Sequence, residues 1–266
     1  KEGSITAFGS LPFDLNLNSS RFGYFFDQDS INFEANAKMA SLPFLSLYLA
    51  DLDSTNGDID IKLLLNGQAN DMKRNGFINI KDGSIYTLLV SDPITRINGN
   101  AKMVDNKLII NRLEALLHNA SGNSTKQERQ NTYIDGTMDF SKFFHPGYDL
   151  KVKSNNASYK LLFLDISGIS DLNLTIAGRD TVLIDGTIET QEANVFYEFS
   201  TEYVGTPIQD GQETILAYNL NIPILGSAFF KNSQINAKVT GELNLGQIGN
   251  QEVDFGGQII VEDGSV

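Results

Sequence analysis

The chain has 266 residues, enough to bury a good core as one large domain or two modest ones. It has no cysteine, which excludes disulfides and thiolate metal sites, and 20 Lys and Arg stand against 33 Asp and Glu for a net charge of −13. Such an acidic chain argues against nucleic-acid binding and general adhesion to anionic membranes, and no apolar run reaches the roughly 18–20 residues of a membrane helix.

In chain order, the first segment is "KEGSIT", which repeats the tail of "KDGSIY" further on, and it leads into the alternating "SITAFGSLPFDLNLN". "INFEANAKM" (31–39) alternates in the same way, with apolar side chains on one face of a strand and polar ones on the other. "SLPFLSLYLADL" (41–52) fits two periods: Leu42, Leu45, Leu49 and Leu52 fall at helical spacing, while Leu45, Leu47 and Leu49 alternate. A short helix there would have its counterpart in "YKLLFLDISGISDL" (159–172). Alternation resumes in "DIDIKLLLNG", "TRINGNAKM", "KLIINRLEAL", "YDLKVKSN", "DLNLTIAG" and "INAKVTGELNLG". These segments predict an all-β chain whose strands have one dry and one wet face.

One ten-residue phrase occurs almost unchanged twice, as "GFINIKDGSI" (76–85) and "GQIIVEDGSV" (257–266), with a looser copy in "GTIETQEANV" (186–195). Asp82-Gly83 and Asp263-Gly264 are type I′ hairpin signals, because that turn needs positive φ at both central positions. Ile80 would then face Ile85, and Val261 would face Val266. In the third copy Glu192-Ala193 stands where Asp-Gly should be, and Ala resists positive φ, so that turn must differ. Asn-Gly or Asp-Gly also falls at 66–67, 75–76, 98–99, 135–136 and 185–186, with Asp105-Asn106 doing similar work. These are either tight turns or glycine-eased bends of a curved sheet, and alternation does not separate the two. The long segments align with one another at an offset of roughly 110 residues, as an internal repeat would. They predict one continuous fragment, 1–266, with repeat units 1–117 and 132–266 joined by the polar loop 118–131. A chain that opens and closes inside the pattern, and starts on Lys1, reads as a piece of something longer.

Catalytic signals are sparse. His118 and His145 lie in unlike contexts, and no Gly-x-Ser-x-Gly, His-Glu-x-x-His or phosphate-loop pattern occurs. Acid pairs such as Asp58/Asp60 and Glu189/Glu192 allow a glycosidase dyad, but acids on strand faces of an acidic chain are ordinarily solvated. "DQDS" and "DLDS" lack the remaining ligands of a calcium loop. No enzyme, cofactor or metal is expected. What remains is the apolar face, which is either the closed core of a sandwich or solenoid or a groove open to an apolar ligand.

The succession "INGNAKMVDNKLIINRLEA", "IDGTMDF", "YDLKVKSNNASYKLLFLDISGISDLNLTIAG" and "IDGTIETQEANVFY" resembles the carboxy-terminal repeats of the TamB family, in the AsmA-like group of Gram-negative envelope proteins. The resemblance implies a β-taco: an elongated antiparallel sheet folded lengthwise into a U, with a hydrophobic inner groove. It implies a periplasmic location, an inner-membrane anchor outside this segment, phospholipid acyl chains as ligand, and an outer-membrane partner of the TamA/Omp85 type. The groove would be lined by Ile78, Ile80, Ile85, Ile97, Met103, Leu108, Ile110, Leu172, Leu174, Ile176, Ile188, Ile259 and Val261. The alternatives are a scaffold for outer-membrane protein assembly, a closed β-solenoid adhesin and a polysaccharide-active enzyme.

Overall fold

The computed structural model describes residues 3–12, 30–41, 52–68, 71–87, 92–117, 129–142, 145–161, 166–196, 215–249, 251 and 254–265. The first strands are β1 (Ser4–Ser10), β2 (Ser30–Met39), β3 (Leu52–Gln68), β4 (Lys73–Thr87), β5 (Ile94–Val104) and β6 (Lys107–Leu116). They continue as β7 (Thr132–Asp139), β8 (Gly147–Leu161), β9 (Ile166–Gly178) and β10 (Thr181–Phe196). The last are β11 (Ile215–Lys231), β12 (Asn236–Ile248) and β13 (Asp254–Ser265). All belong to one 13-stranded sheet whose spatial order is the chain order, and the sheet is not closed into a barrel. Every substantial contact between described strands joins neighbours in that sheet, so it is a single layer.

Two expectations change here. The sheet is not wholly antiparallel: β10 and β11 run parallel, with Thr181 beside Ile215 and Phe196 beside Lys231. A parallel step needs the chain to return along the strand, and residues 197–214 are long enough to do so. The helical reading of 159–172 also fails, since its described residues end β8 and begin β9. There, Ile166–Leu161 and Ser170–Ala157 pair across an antiparallel ladder, and tertiary pairing overrides the helical spacing of the leucines. Of 41–52, only Ser41 and Leu52 are described, and Leu52 opens β3; His118 and most of the polar loop also lie outside the described residues.

The repeated phrase is not a hairpin. Residues 76–85 lie inside β4, residues 186–195 inside β10, and Asp263-Gly264 inside β13. Each copy carries a β-bulge instead. In β4 the register slips between Ile80 and Gly83; in β10 between Thr190 and Glu192; in β13 between Val261 and Asp263, opposite Val239 and Lys238. In β4 the dihedrals give the reason, whereas the slips in β10 and β13 involve no left-handed residue. Asp82 alone is left-handed, at φ 49°, whereas Asp105 and Asn106 are left-handed in succession, at 46° and 73°. Two such residues reverse the chain and make the β5–β6 hairpin, with Val104 facing Lys107. One such residue only adds a kink to a strand that carries on. Gly83, expected at positive φ, is not among the positive-φ glycines. Both flanking strands run past the kink, Thr55 pairing with Ile85 on one side and Ile97 with Gly83 on the other, so β4 continues between them.

A bulge leaves a backbone N–H without its ladder partner, and side chains supply one. The Asp82 amide donates to Asn98 Oδ1 on β5 at 3.0 Å. Asn156, also left-handed at φ 50°, donates its amide to Asp171 Oδ1 on β9 at 2.6 Å. The Asn and Asp that punctuate this sequence therefore serve bulges as well as turns. The Asn-Gly and Asp-Gly pairs at 66–67, 75–76, 98–99, 135–136 and 185–186 all lie within strands, as bends rather than turns. At Gly186 the φ of 140° is open to glycine, and a Cβ there would stand 2.2 Å from the Asn173 carbonyl oxygen.

A continuous apolar face as the candidate functional site

In a sheet, residues paired across strands point to the same side, so the register defines rows of side chains running across the molecule. One row follows direct pairing from β1 to β11: Ile5, Ala37, Ile61, Ile78, Ala101, Ile110, Gly136, Leu150, Ile176, Ile184 and Tyr218. Beside it runs Ala7, Ala35, Leu63, Gly76, Met103, Leu108, Met138, Tyr148, Gly178, Val182 and Leu216. On its other flank, from β2 to β12, run Met39, Ile59, Ile80, Gly99, Leu113, Ile134, Val152, Leu174, Gly186, Leu220 and Leu245. No charged residue stands in any of the three. At the strand spacing of about 4.8 Å, the apolar band from β1 to β11 measures roughly 48 Å across the strands.

The opposite side is polar at the intervening positions. Lys38, Asp60, Asn79, Asn100 and Arg112 follow one another by pairing, as do Asp135, Lys151, Thr175, Asp185 and Asn219. Lys62 meets Glu34 at 2.8 Å, and Lys238 meets Glu262 at 2.7 Å. Phe77, Ile109 and Leu183 interrupt this polarity, so the wet side is the less uniform of the two.

All thirteen residues singled out from the sequence lie on the apolar side. Ile78, Ile110 and Ile176 fall in the first row, Met103 and Leu108 in the second, and Ile80 and Leu174 in the third. Ile97, Leu172 and Ile188 stand one step further along their strands, and Ile85 lies beyond the β4 bulge, facing Thr55 and Ile94. Ile259 and Val261 sit on the edge strand β13, 46% and 61% exposed, facing Gly241 and Val239. The sequence reading missed much of the same face, including Ile61, Leu113, Ile134 and Leu150. It missed β11 altogether. That strand contains Pro223, which lacks a ladder donor, and the pairing with β10 has a gap there between Asn221 and Ile224.

Burial along this face is uneven. Ile78, Ile80, Ile110, Leu174, Ile176 and Ile188 are only half-buried. Ile59, Leu108 and Val182 in the rows are fully buried, and many of the other fully buried residues collect where strands bulge. Ile97, Thr132, Ser154, Ala157, Ser170, Thr190, Ala193, Ala228 and Val239 form an oblique seam near the kinks of β4–β5 and β8–β13. A bulge bends its strand, so side chains on the concave side converge and only small ones fit. Ala157 and Ser170 are wholly inaccessible. The hydroxyls there satisfy one another: Thr132 Oγ1 and Ser154 Oγ are 2.6 Å apart, and Ser170 Oγ donates to Thr190 Oγ1 at 3.3 Å.

Chemistry at the rows is limited to contact. Tyr148 is the one shifted group in them, its phenol pushed above its ordinary value by desolvation among apolar neighbours. No group of three or more His, Cys, Asp or Glu among the described residues could hold a metal. The densest polar cluster lies at the strand ends instead. Arg179 binds Asp139 Oδ2 at 2.7 Å and the His145 carbonyl, and His145 Nε2 lies 2.8 Å from Asp180 Oδ1. It ties the β7–β8 connection to the β9–β10 turn. No family model, curated protein or solved structure matches this chain.

Proposed function

We propose that the apolar face is the lining of an open groove, formed by the sheet folding lengthwise into a U along the bulge seam, and that it carries phospholipid acyl chains. The observation behind this reading is three uninterrupted apolar rows, most of whose residues are half-buried, with no described strand packed over them. In a sealed solenoid or sandwich the same isoleucines would be closed off from water. Burying an acyl chain of ~16 carbons is worth ~13 kcal/mol at ~0.8 kcal/mol per methylene, so one deep pocket would trap it. A face that offers the same lining at each strand keeps the burial nearly constant as the chain moves, which suits conduction rather than storage. Together with the resemblance described above, this points to a TamB-like segment that bridges inner and outer membranes in the periplasm, with an outer-membrane TamA/Omp85-type partner.

The test is photo-crosslinking in cells. A crosslinker at Ile78, Leu108, Leu174 or Ile259 should capture lipid at each position, while Asn79 and Asn173, on the opposite side, should not. Capture at only one inward position would mean a discrete pocket, and equal capture on both sides would overturn the groove reading.

A further inference from the structure

We infer that the groove passes phospholipids with net-neutral, zwitterionic heads along its whole length and holds back anionic ones over β9–β13; this rests on the lipid reading. The charge of the chain is not spread evenly. Residues 1–161, which hold β1–β8, carry 18 Asp and Glu against 17 Lys and Arg, whereas residues 162–266 carry 15 against three. Nearly all of the net −13 therefore belongs to the part of the chain from β9 onward.

Register shows how the two parts treat their acids. In β1–β8 acids stand directly opposite cations: Asp60 pairs with Lys38, Asp58 with Lys81, Asp139 with Lys107 and Asp135 with Lys151. Pairs of that kind cancel at a distance. In β9–β11 the acids meet no cation in register. Asp185 stands between Thr175 and Asn219, Glu192 between Ile169 and Ser227, and Glu189 directly opposite Asp171. Like charges opposed in this way cost stability. The change is abrupt at the β8–β9 ladder, where Lys151 and Lys153 face Thr175 and Asn173. Lys238, against Asp263 in register and Glu262 at 2.7 Å, is the exception further on. An acyl chain in the groove leaves its head group in water at the open side, where it feels the summed field of the strands beside it. Over β1–β8 that field nearly vanishes, and head-group charge makes no difference. Over β9–β13 it is negative. A phosphodiester with no cation of its own is repelled there, whereas a head that also carries an ammonium has no net charge to repel. Salt screens all but the nearest charges, so the discrimination is graded rather than absolute.

The test uses the purified chain with a photo-crosslinker at Ile78, Leu108, Leu174 or Ile188, incubated with vesicles of equal parts phosphatidylethanolamine and phosphatidylglycerol. Mass spectrometry reads the captured lipid. The ratio of phosphatidylglycerol to phosphatidylethanolamine should fall about threefold from Ile78 and Leu108 to Leu174 and Ile188. The fall should shrink in salt of about 1 M, where the Debye length is about 3 Å. Glu189→Lys combined with Glu192→Lys should raise the ratio at Leu174 towards that at Leu108, with phosphatidylethanolamine capture unchanged. The first substitution also sets a cation opposite Asp171, which favours the fold. Equal ratios at all four positions would overturn the inference and leave the lipid reading standing, as would a fall that salt does not alter. Capture of neither lipid at any position would remove the lipid reading itself, and the inference with it.

Discussion

The seam and the rows lie on the same face of the same sheet, yet they are built on opposite principles. At the seam Ala157 and Ser170 have no accessible surface; a few residues away on the same strands, Val152 and Ile176 are half open. No described strand packs over this face, so curvature helps to bury the side chains of the seam. Curvature needs small residues, and bulges supply it. Ladder hydrogen bonds and same-face neighbours hold the rows, most of whose side chains stay partly exposed. Complete burial of small residues therefore marks where the sheet bends, while most row residues stay partly exposed.

Substitutions that respect side-chain size but not backbone geometry should separate the two most strongly. Gly186→Val forces a β-branched residue to φ 140° with its Cβ 2.2 Å from the Asn173 carbonyl oxygen. We expect a loss of about 4 kcal/mol or outright misfolding. Gly246→Val on β12, where a Cβ meets nothing nearer than 3.6 Å and φ is not left-handed, should cost under about 1 kcal/mol. Urea melts of the pair check this, and equal losses would remove the special status of the row glycines.

Size alone comes next. Ala157→Leu overpacks a closed site and should destabilise by about 1–3 kcal/mol, while Ile176→Phe, in an open row, should stay within about 0.5 kcal/mol. If both cost the same, the rows are a closed core. Removing a hydroxyl should have an intermediate effect: Ser154→Val takes one partner from Thr132 Oγ1, which keeps its bond to Asn131 Oδ1 at 3.1 Å, and should cost about 1 kcal/mol, read from the shift in urea midpoint.

A charge in the rows should matter less than a charge in any ordinary core. Ile80→Arg should leave a folded protein with a melting temperature within a few degrees, because its guanidinium can reach water past half-open neighbours. A sealed interior would reject it. Failure to fold would break the comparison from the other side.

The smallest effect concerns the clamp at the strand ends, beside Met138 and Gly178 of the second row. The Asp180 carboxyl is held below its ordinary value by its hydrogen bond to His145. Asp139 is held low by the Ser141 amide, at 2.9 Å, with Arg179 adding to it. Carboxyls depressed in the folded state contribute fully above the ordinary carboxylate range, and the contribution is lost as pH falls through their lowered values. Both side chains are well exposed, so solvent screens the effect. The expected sign is faster hydrogen exchange at the Ser141 amide as pH falls through that range, after correction for intrinsic rates, with global stability nearly unaltered. Unchanged protection would mean the clamp is incidental.

Much of the candidate face was legible because the period of a strand is two. Once Ile78 and Ile80, or Leu172, Leu174 and Ile176, alternate with polar residues, pleating forces them to one side whatever the neighbours are. What alternation cannot show is who those neighbours are. Ile61 and Leu150 belong to the same row as Ile78, Ile110 and Ile176, and only register reveals it. The repeated phrase is the clearest case. Asp-Gly takes one left-handed residue at Asp82 and none at Asp263-Gly264, and the choice lies outside the phrase. At Asp105-Asn106 the strands end and the chain reverses; at Asp82-Gly83, β3 and β5 extend past the site and offer hydrogen bonds to a strand that goes on.

By itself, then, the sequence determined an all-β chain, the side of each alternating strand that is dry, and the places where the backbone departs from regular extension. These are local properties, set by pleat geometry and by the φ preferences of Gly, Asn and Asp. Tertiary structure decided that those departures are mostly bulges, that β10 and β11 run parallel, that Pro223 sits within the sheet, and that small residues rather than large ones are the most deeply buried. Each of these depends on which strands lie alongside and how far they extend. Ladder pairing between segments far apart in sequence supplies that information, and no short stretch of residues contains it.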